Sequence, residues 1–280
     1  MKVGIIGLGL MGGSFALALK KRYKDRDEKV EIIGYDHNVQ HCLEALELKI
    51  ADKIADDINE LLNLDLIVLA IPVNAILETL PSLKNASDNT TIIDFGSTKE
   101  KIIKAIPKEI RANFVASHPM TGTEKFGPKA ADRKLYRGKV VVICNKEENS
   151  PKHLKFAKDI FKDIGMKIFY MDAKEHDVHA AYISHMPHAV SYALANSVMK
   201  QENPKAILAL AGGGFRDMSR IAKSSPNMWI DIFKQNKDNL LNAIDSFKSE
   251  IEELDNLIKN EDWDSVKSWI LNANKLHEIL

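Results

Sequence analysis

The first 171 residues alternate between short runs of consecutive apolar residues and longer segments in which apolar positions recur every three or four residues. Uninterrupted apolar runs are typical of strands buried on both faces, whereas the longer segments are typical of helices. Strands are predicted at residues 3–6, 30–35, 65–71, 91–95, 114–116, 139–144 and 167–170, and helices at 14–20, 73–80 and 152–163. This alternation predicts an α/β fold with a Rossmann-type, doubly wound parallel sheet.

The strand pattern stops near residue 172, and the rest of the chain has helical spacing. The boundary is a change of periodicity without a Gly/Ser-rich linker. We therefore expect two closely packed domains, a dinucleotide-binding domain of residues 1–171 and an all-helical domain of residues 172–280.

A long helix is predicted after Pro226, because proline suits the first turn of a helix. Its apolar residues are spaced alternately by four and three positions, and they are Leu240, Ile244, Phe247, Ile251, Leu254 and Ile258. A seam of this length needs an apolar partner. Residues 262–280 could supply one helix from the same chain. A second copy of the chain could supply another, so we expect a homodimer formed through the helical domain.

A second helical pattern, at residues 175–199, is interrupted by Pro187. Proline in a helix interior removes a hydrogen bond and clashes with the preceding turn, at a cost of roughly 3 kcal/mol or more. The interruption indicates a functional kink beside His185 and His188. These histidines share a helix face and could bind zinc or form an ordinary structural pair. Because no cysteine or acidic cluster offers further ligands at a suitable spacing, no metal is predicted.

The composition of the chain argues against nucleic-acid binding and membrane insertion. The 280 residues include 39 lysine and arginine and 39 aspartate and glutamate residues, so a broad positive field is not expected. No apolar run approaches the roughly 18 residues that a membrane span needs. The cysteines, Cys42 and Cys144, do not suggest a disulfide framework. We expect a cytoplasmic protein.

A glycine-rich segment links the first predicted strand to the first predicted helix. It reads Gly7-Leu8-Gly9-Leu10-Met11-Gly12, the Gly-x-Gly-x-x-Gly pattern of dinucleotide-binding proteins. Gly7 permits a tight turn, Gly9 lets the backbone approach a pyrophosphate, and Gly12 lets the helix pack closely on the strand. The start of the helix attracts the phosphates, so the segment predicts a dinucleotide site.

Asp36, at the end of the second predicted strand, indicates which dinucleotide binds. A carboxylate there accepts hydrogen bonds from a ribose 2′-hydroxyl and repels a 2′-phosphate. No lysine or arginine follows it in residues 37–40. The sequence favours NAD over NADP, although Asp36 could instead cap the next helix.

Three further pairs of residues lie at predicted strand ends, where ligands bind in open α/β sheets; they are Ile71-Pro72, Gly96-Ser97 and Ser117-His118. We predict that Ile71, Pro72 and Ser97 contact the cofactor. His118 is a candidate base, because the proline after it favours an extended conformation and its ordinary pKa of roughly 6.5 suits proton exchange near neutrality. A lone histidine at a strand end is often structural, but its convergence with the glycine segment favours catalysis.

Two short patterns leave alternatives open. Thr123 and Glu124 could begin a helix soon after His118. Arg216 and Arg220 share a helix face, which suits either two-point recognition of carboxylates or a solvated surface with Asp217 as partner.

These motifs together resemble those of the prephenate dehydrogenase family, over essentially the whole chain. Besides the glycine segment, the resemblance is carried by Gly34-Tyr35-Asp36, Asp94-Phe95-Gly96-Ser97-Thr98-Lys99, His118-Pro119-Met120-Thr121-Gly122-Thr123-Glu124-Lys125, Leu135-Tyr136-Arg137-Gly138-Lys139, Ser184-His185-Met186-Pro187-His188-Ala189 and Gly213-Gly214-Phe215-Arg216-Asp217-Met218-Ser219-Arg220-Ile221-Ala222. It implies NAD-dependent oxidative decarboxylation of prephenate to 4-hydroxyphenylpyruvate and CO2, in tyrosine biosynthesis. A base takes the proton of the ring hydroxyl while hydride leaves the same carbon for the nicotinamide, and loss of the ring carboxylate makes the product aromatic.

The resemblance also implies roles for individual residues. His118 is implied to be the base, with Ser97 between the nicotinamide, the substrate hydroxyl and His118. Arg220 is implied to pair with a substrate carboxylate. The other residues implied to line the substrate pocket are His188, Thr123, Asp217 and Trp229, the last two from or near the dimer interface.

Two residues depart from the family pattern. Thr121 stands where alanine is usual, and Phe126 stands where serine is common. Both bear on how the substrate fits, and neither changes His118.

Three alternative functions remain open. Arogenate, which has an amine where prephenate has a keto group, could be the substrate if an acidic residue such as Glu124 or Asp217 faced that end of the pocket. Another β-hydroxyacid-type dehydrogenase would usually rely on a lysine in the helical domain, whereas the histidine blocks match here. A non-catalytic NAD-sensing protein would bind NAD without turnover.

Overall fold

The structure, a computed structural model, describes residues 1–123 and 125–279. Its strands are β1 (Lys2–Ile6), β2 (Glu31–Tyr35), β3 (Lys53–Ile54), β4 (Leu66–Leu69), β5 (Thr91–Asp94), β6 (Phe114–Pro119), β7 (Val140–Cys144) and β8 (Lys167–Met171). They form one sheet in the order β3-β2-β1-β4-β5-β6-β7-β8. Neighbouring strands are parallel except β6 and β7, which are antiparallel. The predicted α/β class is confirmed, and the two-residue β3 is the strand that the apolar pattern missed.

The helices are α1 (Leu10–Asp25), α2 (Val39–Glu47), α3 (Val73–Thr79), α4 (Glu100–Ala105), α5 (Pro151–Asp163), α6 (Ala173–Ala180), α7 (Met186–Met199), α8 (Pro204–Ala209), α9 (Gly213–Ser219), α10 (Pro226–Gln235), α11 (Lys237–Lys259) and α12 (Trp263–Asn274). The first five accompany the sheet, and the others form the helical part. No helix in the described ranges is both long and apolar enough to cross a membrane.

Apolar side chains cover both faces of the sheet. Leu66 and Val68 of β4 join one core cluster with Phe15 of α1. Ile67 and Leu69 point to the opposite face and join a second cluster. Since alternate residues of a strand face opposite sides, a strand that is buried on both faces must be apolar throughout. This explains why the strands were visible in the sequence as uninterrupted runs.

The sheet order places a topological switch point between β1 and β4. After β1 the chain moves to β2 and β3 on one side, and then returns to continue outward from β4 on the other. The carboxyl ends of β1, β4 and β5 therefore surround a crevice of the kind in which ligands bind.

The predicted interruption of the 175–199 helix is confirmed, but its geometry differs from a simple proline kink. A π-helical turn, Ala181–His185, separates α6 from α7. Pro187 lies in the first turn of α7, where a missing N–H group costs little. Wider π turns within helices often occur at functional sites, and this one carries His185.

The prediction of a single long helix after Pro226 is wrong, because Asn236 separates α10 from α11. The expected partner helix from the same chain is present, since Trp269 of α12 donates to the carboxylate of Glu250 on α11 at 3.0 Å. Ile251 and Ile258 of the apolar seam remain 48% and 47% exposed.

The helical part is tied to the sheet part by polar contacts from α10. Asn74 of α3 donates to Asp231 at 2.6 Å and accepts a hydrogen bond from Gln235. Lys101 of α4 donates to the carbonyl oxygen of Lys234 at 3.1 Å. These contacts hold the helices beside the carboxyl edge of the sheet.

Candidate active site

The glycine loop after β1 leaves no room for larger side chains at two of its positions. Gly7 has φ of 97°, and a Cβ atom there would lie 2.4 Å from the carbonyl oxygen of Ala70. A Cβ atom at Gly12 would lie 1.9 Å from the carbonyl oxygen of Gly7. Gly9 is the N-cap of α1, so Leu10 to Gly12 form the first helical turn, whose N–H groups have no intrahelical acceptor. The loop fits a pyrophosphate.

Asp36 contacts this loop directly. Its Oδ2 accepts a hydrogen bond from the backbone N–H of Leu8 at 2.9 Å and lies 3.2 Å from Nδ1 of His41. Its Oδ1 accepts from the N–H of Asn38 at 2.9 Å. The cap of α2 is Asn38, which accepts from Gln40 N–H, so the alternative role of Asp36 as the helix cap is wrong. The Asp36 carboxylate lies at the end of β2, where a ribose binds in this type of fold.

Ile71 and Pro72 follow β4, the strand next to β1 across the switch point. A Cβ atom at Gly7 would come within 2.7 Å of the Ile71 side chain, so Ile71 lies against the glycine loop. Pro72 directly precedes the first residue of α3.

His118 is the penultimate residue of β6 and pairs with Val142 of the antiparallel β7. Its Nδ1 is 2.9 Å from Nε2 of His176, and the two rings meet nearly edge to face. Burial holds the pKa of His118 well below its ordinary value, and the neighbouring His176, Lys99 and His185 act in the same direction. The ring is therefore neutral near pH 7 and able to accept a proton.

Ser97 lies on the neighbouring strand end. Asp94 of β5 pairs with Ala116 of β6, so the chain segments that lead to Ser97 and His118 leave the same edge of the sheet. Ser97 is half-buried. No hydrogen bond joins its hydroxyl to His118 or to any other residue in the described part of the chain, so the hydroxyl is available to a ligand.

A wholly buried ion pair supports both strand ends. Lys99 donates to the Asp94 carboxylate and, at 2.8 Å, to the carbonyl oxygen of Ser117. Asp94 also accepts from the N–H groups of Gly96 at 2.9 Å and Ser117 at 3.1 Å. Buried charges are tolerated when they are paired and fully hydrogen-bonded. The network fixes the backbone at Ser117, just before His118, and at Gly96, just before Ser97.

Two residues that the sequence did not reveal, His176 and Asp177 of α6, complete this side of the site. Nδ1 of His176 lies 2.8 Å from Oδ1 of Asp177. The Asp177 carboxylate also accepts from the N–H groups of Lys99 at 2.7 Å and Glu100 at 2.9 Å. In the sequence these residues are ordinary polar positions of a helix, and no local motif marks them.

Asn236, at the break between α10 and α11, was also missed. Its amide nitrogen donates to the carbonyl oxygen of Asp177 at 2.6 Å and lies 3.1 Å from Nδ1 of His185. Burial lowers the pKa of His185 to about 4. The helix break therefore places a buried amide against α6 and the π turn.

Three of the predicted substrate residues meet on the helical side. His188 and Trp229 stack with ring centroids 3.6 Å apart, and Nδ1 of His188 donates to the carbonyl oxygen of Ser184 at 2.9 Å. The pKa of His188 is lowered, mainly by burial and also by the charge of Arg220. Trp229, which the resemblance places at or near the dimer interface, thus contacts His188 of its own chain.

Among the described residues, no hydrogen bond or ion pair joins Thr123 or Asp217 to this group. Both are exposed, and the Thr123 hydroxyl accepts from the N–H of Lys125 at 3.2 Å. Glu124 lies outside the described residues. The prediction of a helix beginning near Thr123 is wrong for the described part, whose next helical turn is Pro128–Ala130.

The histidine pair considered for zinc is engaged otherwise, His185 with Asn236 and His188 with Ser184 and Trp229. Within the described ranges, no three histidine, cysteine or acidic side chains cluster as a metal site would require.

Comparison with known families gives matches over nearly the whole chain. A family model described as prephenate dehydrogenase, nucleotide-binding domain, matches residues 15–170. A second, described as prephenate dehydrogenase, dimerization domain, matches residues 172–272.

Individual relatives are similar over most of their length. The prephenate dehydrogenase of Bacillus subtilis is 33% identical over 275 residues, which are 96% of this chain and 73% of the relative. The crystal structure of prephenate dehydrogenase from A. aeolicus with hydroxyphenyl propionate and NAD+ has a TM-score of 0.92 and 34% identity, over 100% of this chain and 98% of that one. Synechocystis arogenate dehydrogenase has a TM-score of 0.82 and 28% identity, over 99% of both chains.

Proposed function

The chain belongs to the prephenate dehydrogenase family, and we propose that it oxidises and decarboxylates prephenate to 4-hydroxyphenylpyruvate with His118 as the base. It is an NAD-dependent oxidoreductase. The observation that supports the residue assignment is the neutral, enclosed His118 near the carboxyl edge of the sheet. It lies on the strand next to the one that leads to Ser97, and its ring contacts His176 of the helical part.

The residues that hold NAD are those around the switch point. The first-turn N–H groups of α1, from Leu10 to Gly12, suit the pyrophosphate, and Asp36 suits the adenosine ribose. Ile71 and Pro72 enclose the crevice between these and Ser97. When bound, NAD accepts the hydride that leaves the substrate.

His118 and Ser97 act on the substrate hydroxyl in this proposal. The lowered pKa of His118 keeps its ring unprotonated, so it can take the hydroxyl proton as the carbon–oxygen bond becomes a carbonyl. Ser97, on the adjacent strand end, orients the hydroxyl by a hydrogen bond. Nδ1 of His118 is already engaged with His176, which leaves Nε2 for the substrate.

The helical wall binds the carboxylates. Arg220 presents a planar fork of N–H donors that matches a carboxylate in two-point contacts. His188 and the Trp229 face that supports it bound the pocket on the same side. We assign Thr123 and Asp217 to the rim of the pocket, because both are exposed.

We further propose that residues 172–280 form a homodimer. Exposed apolar side chains of α11 and α12 continue the seam described above, and they include Ile251, Ile258, Trp263, Ile270 and Leu271. Apolar surface of this extent on two neighbouring helices is typical of an interface. Residues 1–171 form the NAD-binding domain in this assignment.

Arogenate is the second candidate substrate. It is supported by the similarity to the Synechocystis enzyme over 99% of both chains. The two substrates differ in one group remote from the ring hydroxyl, so the role of His118 is the same for both.

The test is the rate of NADH formation with prephenate and with arogenate, offered separately to the purified protein. We expect turnover of prephenate that is lost in His118→Asn and retained in His179→Asn, a matched change at an exposed histidine of α6. Turnover of arogenate alone would change the assigned substrate to arogenate and leave the role of His118 as the base unchanged. Equal activity of the two variants would refute His118 as the base, and NAD binding without turnover would indicate the sensor function.

A further inference from the structure

We infer that His176 and Asp177 are positioning residues for His118, which fix the proton of its ring on Nδ1 and keep Nε2 as the basic atom. The inference rests on the proposed role of His118 as the base. It concerns two side chains of α6 whose hydrogen bonds connect His118 to the backbone at the start of α4.

The chain of hydrogen bonds begins at Asp177. Its two carboxylate oxygens accept from the backbone N–H groups of Lys99 and Glu100, at 2.7 and 2.9 Å. An ionised carboxylate is an acceptor only. The ring nitrogen that lies 2.8 Å from the same carboxylate, Nδ1 of His176, must therefore carry a proton and donate it.

The position of this proton determines which nitrogen donates and which accepts at each later step of the hydrogen-bond chain. A neutral imidazole has one N–H group, so a His176 ring that donates from Nδ1 accepts at Nε2. Nε2 of His176 is 2.9 Å from Nδ1 of His118. His118 must then donate from Nδ1, and its Nε2 bears the lone pair. In the opposite tautomer, His118 would have its proton on Nε2 and could not accept one there.

The same chain of hydrogen bonds offsets the positive charge that forms when His118 accepts a proton. Burial and the groups that face His118 disfavour a cation there, and these groups are the His176 ring itself, Lys99 from the loop after β5 and His185 from the π turn. Lys99 is paired with Asp94. Asp177 is the further anion, and it reaches His118 through the N–H group of His176. The proton moves from the substrate hydroxyl to Nε2 of His118, and no further transfer is needed.

The arrangement also couples two parts of the fold. His118 belongs to the sheet, whereas His176 and Asp177 belong to α6, and Asp177 also binds the backbone at the start of α4. Asn236 holds the Asp177 carbonyl from the other side at 2.6 Å. The helical part thus supports the base as well as the substrate pocket.

The kinetic test compares two replacements of His176 with a matched control. His176→Leu removes the acceptor, whereas His176→Gln retains an amide oxygen near the position of Nε2. We expect kcat to fall by roughly 10² to 10⁴ in His176→Leu, the scale of a base held in its wrong tautomer. We expect His176→Gln to stay within about tenfold of the parent, because it still accepts from His118. KM for prephenate and the Kd of NAD should be unchanged in both, and His179→Leu should have normal kcat.

The direct test is nitrogen NMR of the wild-type protein with ¹⁵N-labelled histidine, with the His118 signals assigned by their loss in His118→Asn. We expect a protonated Nδ1 and an unprotonated Nε2 at His118. A proton on Nε2, or equal kcat values for His176→Leu and His179→Leu, would overturn the inference. If His176→Leu does not fold, the wild-type spectrum alone decides. Because the spectrum needs no turnover, it separates this inference from the proposal that His118 is the base, which fails only if His118→Asn is active.

Discussion

Lys99 and Asp94 form an ion pair with no exposure to solvent, directly beneath the two strand ends that present Ser97 and His118. The lysine also donates to the Ser117 carbonyl, and the aspartate accepts from two backbone N–H groups. A buried pair of this kind contributes little net stability compared with apolar residues of the same size, but it is costly to break. Its position indicates that it serves to fix the geometry of the site.

Replacing Lys99 by methionine should therefore destabilise the protein strongly. The change leaves Asp94 buried without its cation, which costs about 3–5 kcal/mol. The free energy of unfolding from urea denaturation measures the loss. Lys104→Met is the control, since its exposed pair with Glu100 should contribute less than about 1 kcal/mol. Similar losses in the two variants would contradict the assigned cost of the buried pair.

Replacing Asp36 by alanine should weaken the preference for NAD over NADP. The variant removes the carboxylate that repels a 2′-phosphate, and it also frees the Leu8 N–H group at the glycine loop. We expect the ratio of kcat/KM for the two cofactors to move toward NADP, with a higher KM for NAD. Asp52→Ala is a suitable control, because Asp52 likewise accepts from a backbone N–H group, that of Ile32 at 2.8 Å. An unchanged ratio would show that Asp36 does not discriminate between a ribose 2′-hydroxyl and a 2′-phosphate.

The sequence was informative where the structural signal is local. The β4 strand is apolar throughout because both of its faces are covered, and the glycine spacing follows from steric limits within a few residues of β1. Asp36 and Ser97 could be predicted as well, since each follows a recognisable strand.

The missed residues depend on contacts between distant parts of the chain. His118 and His176 are 58 positions apart, and Asn236 is 59 positions from Asp177. Within its own helix each missed residue is an unremarkable polar position. The break at Asn236 was hidden for a related reason: the apolar spacing of α11 begins close after it, so the pattern showed one helix where there are two.

The stability of the protein should fall as the pH drops from about 6.5 to about 4, in part because of His185. Its pKa is lowered to about 4 by burial, whereas an unfolded histidine has a pKa of roughly 6.5. Between these values the unfolded chain binds the extra proton, so this contribution is complete above pH 6.5 and is lost as the pH falls. The full difference amounts to about 3 kcal/mol.

Urea denaturation at several pH values measures this dependence, with His185→Asn as the test variant. Asparagine can keep an acceptor oxygen for Asn236 without titrating. We expect a shallower pH dependence in His185→Asn than in the parent, and no change in His277→Asn at an exposed position. Equal slopes in the parent and His185→Asn would show that His185 does not carry this effect.

The pH dependence of catalysis should reflect the lowered pKa of His118. Because the active form is the unprotonated ring, kcat/KM for prephenate should hold its plateau as the pH falls below the ordinary histidine pKa of roughly 6.5, and decline only at lower pH. The profile of kcat/KM against pH, at saturating NAD, measures the position of this acid limb. An acid limb centred at or above a pH of roughly 6.5 would show that burial is not the dominant influence on the pKa of His118.

Arg216 and Arg220 are both candidates to bind a substrate carboxylate, and the structure distinguishes between them. Arg220 lies close enough to His188 to lower its pKa, whereas Arg216, one helical turn earlier, donates to the Ala211 carbonyl at 3.2 Å. Loss of a charged hydrogen bond costs about 1.5–3 kcal/mol, so Arg220→Ala should lower kcat/KM for prephenate by roughly 10- to 100-fold. Arg216→Ala, which removes the same charge from the same segment, should have a much smaller effect. Arg220→Lys should fall between them, because it keeps the charge without the two-point geometry. Steady-state kinetics of the three variants therefore separates a specific carboxylate contact from the general positive charge of the segment that holds both arginines. Equal losses in Arg216→Ala and Arg220→Ala would favour the general charge.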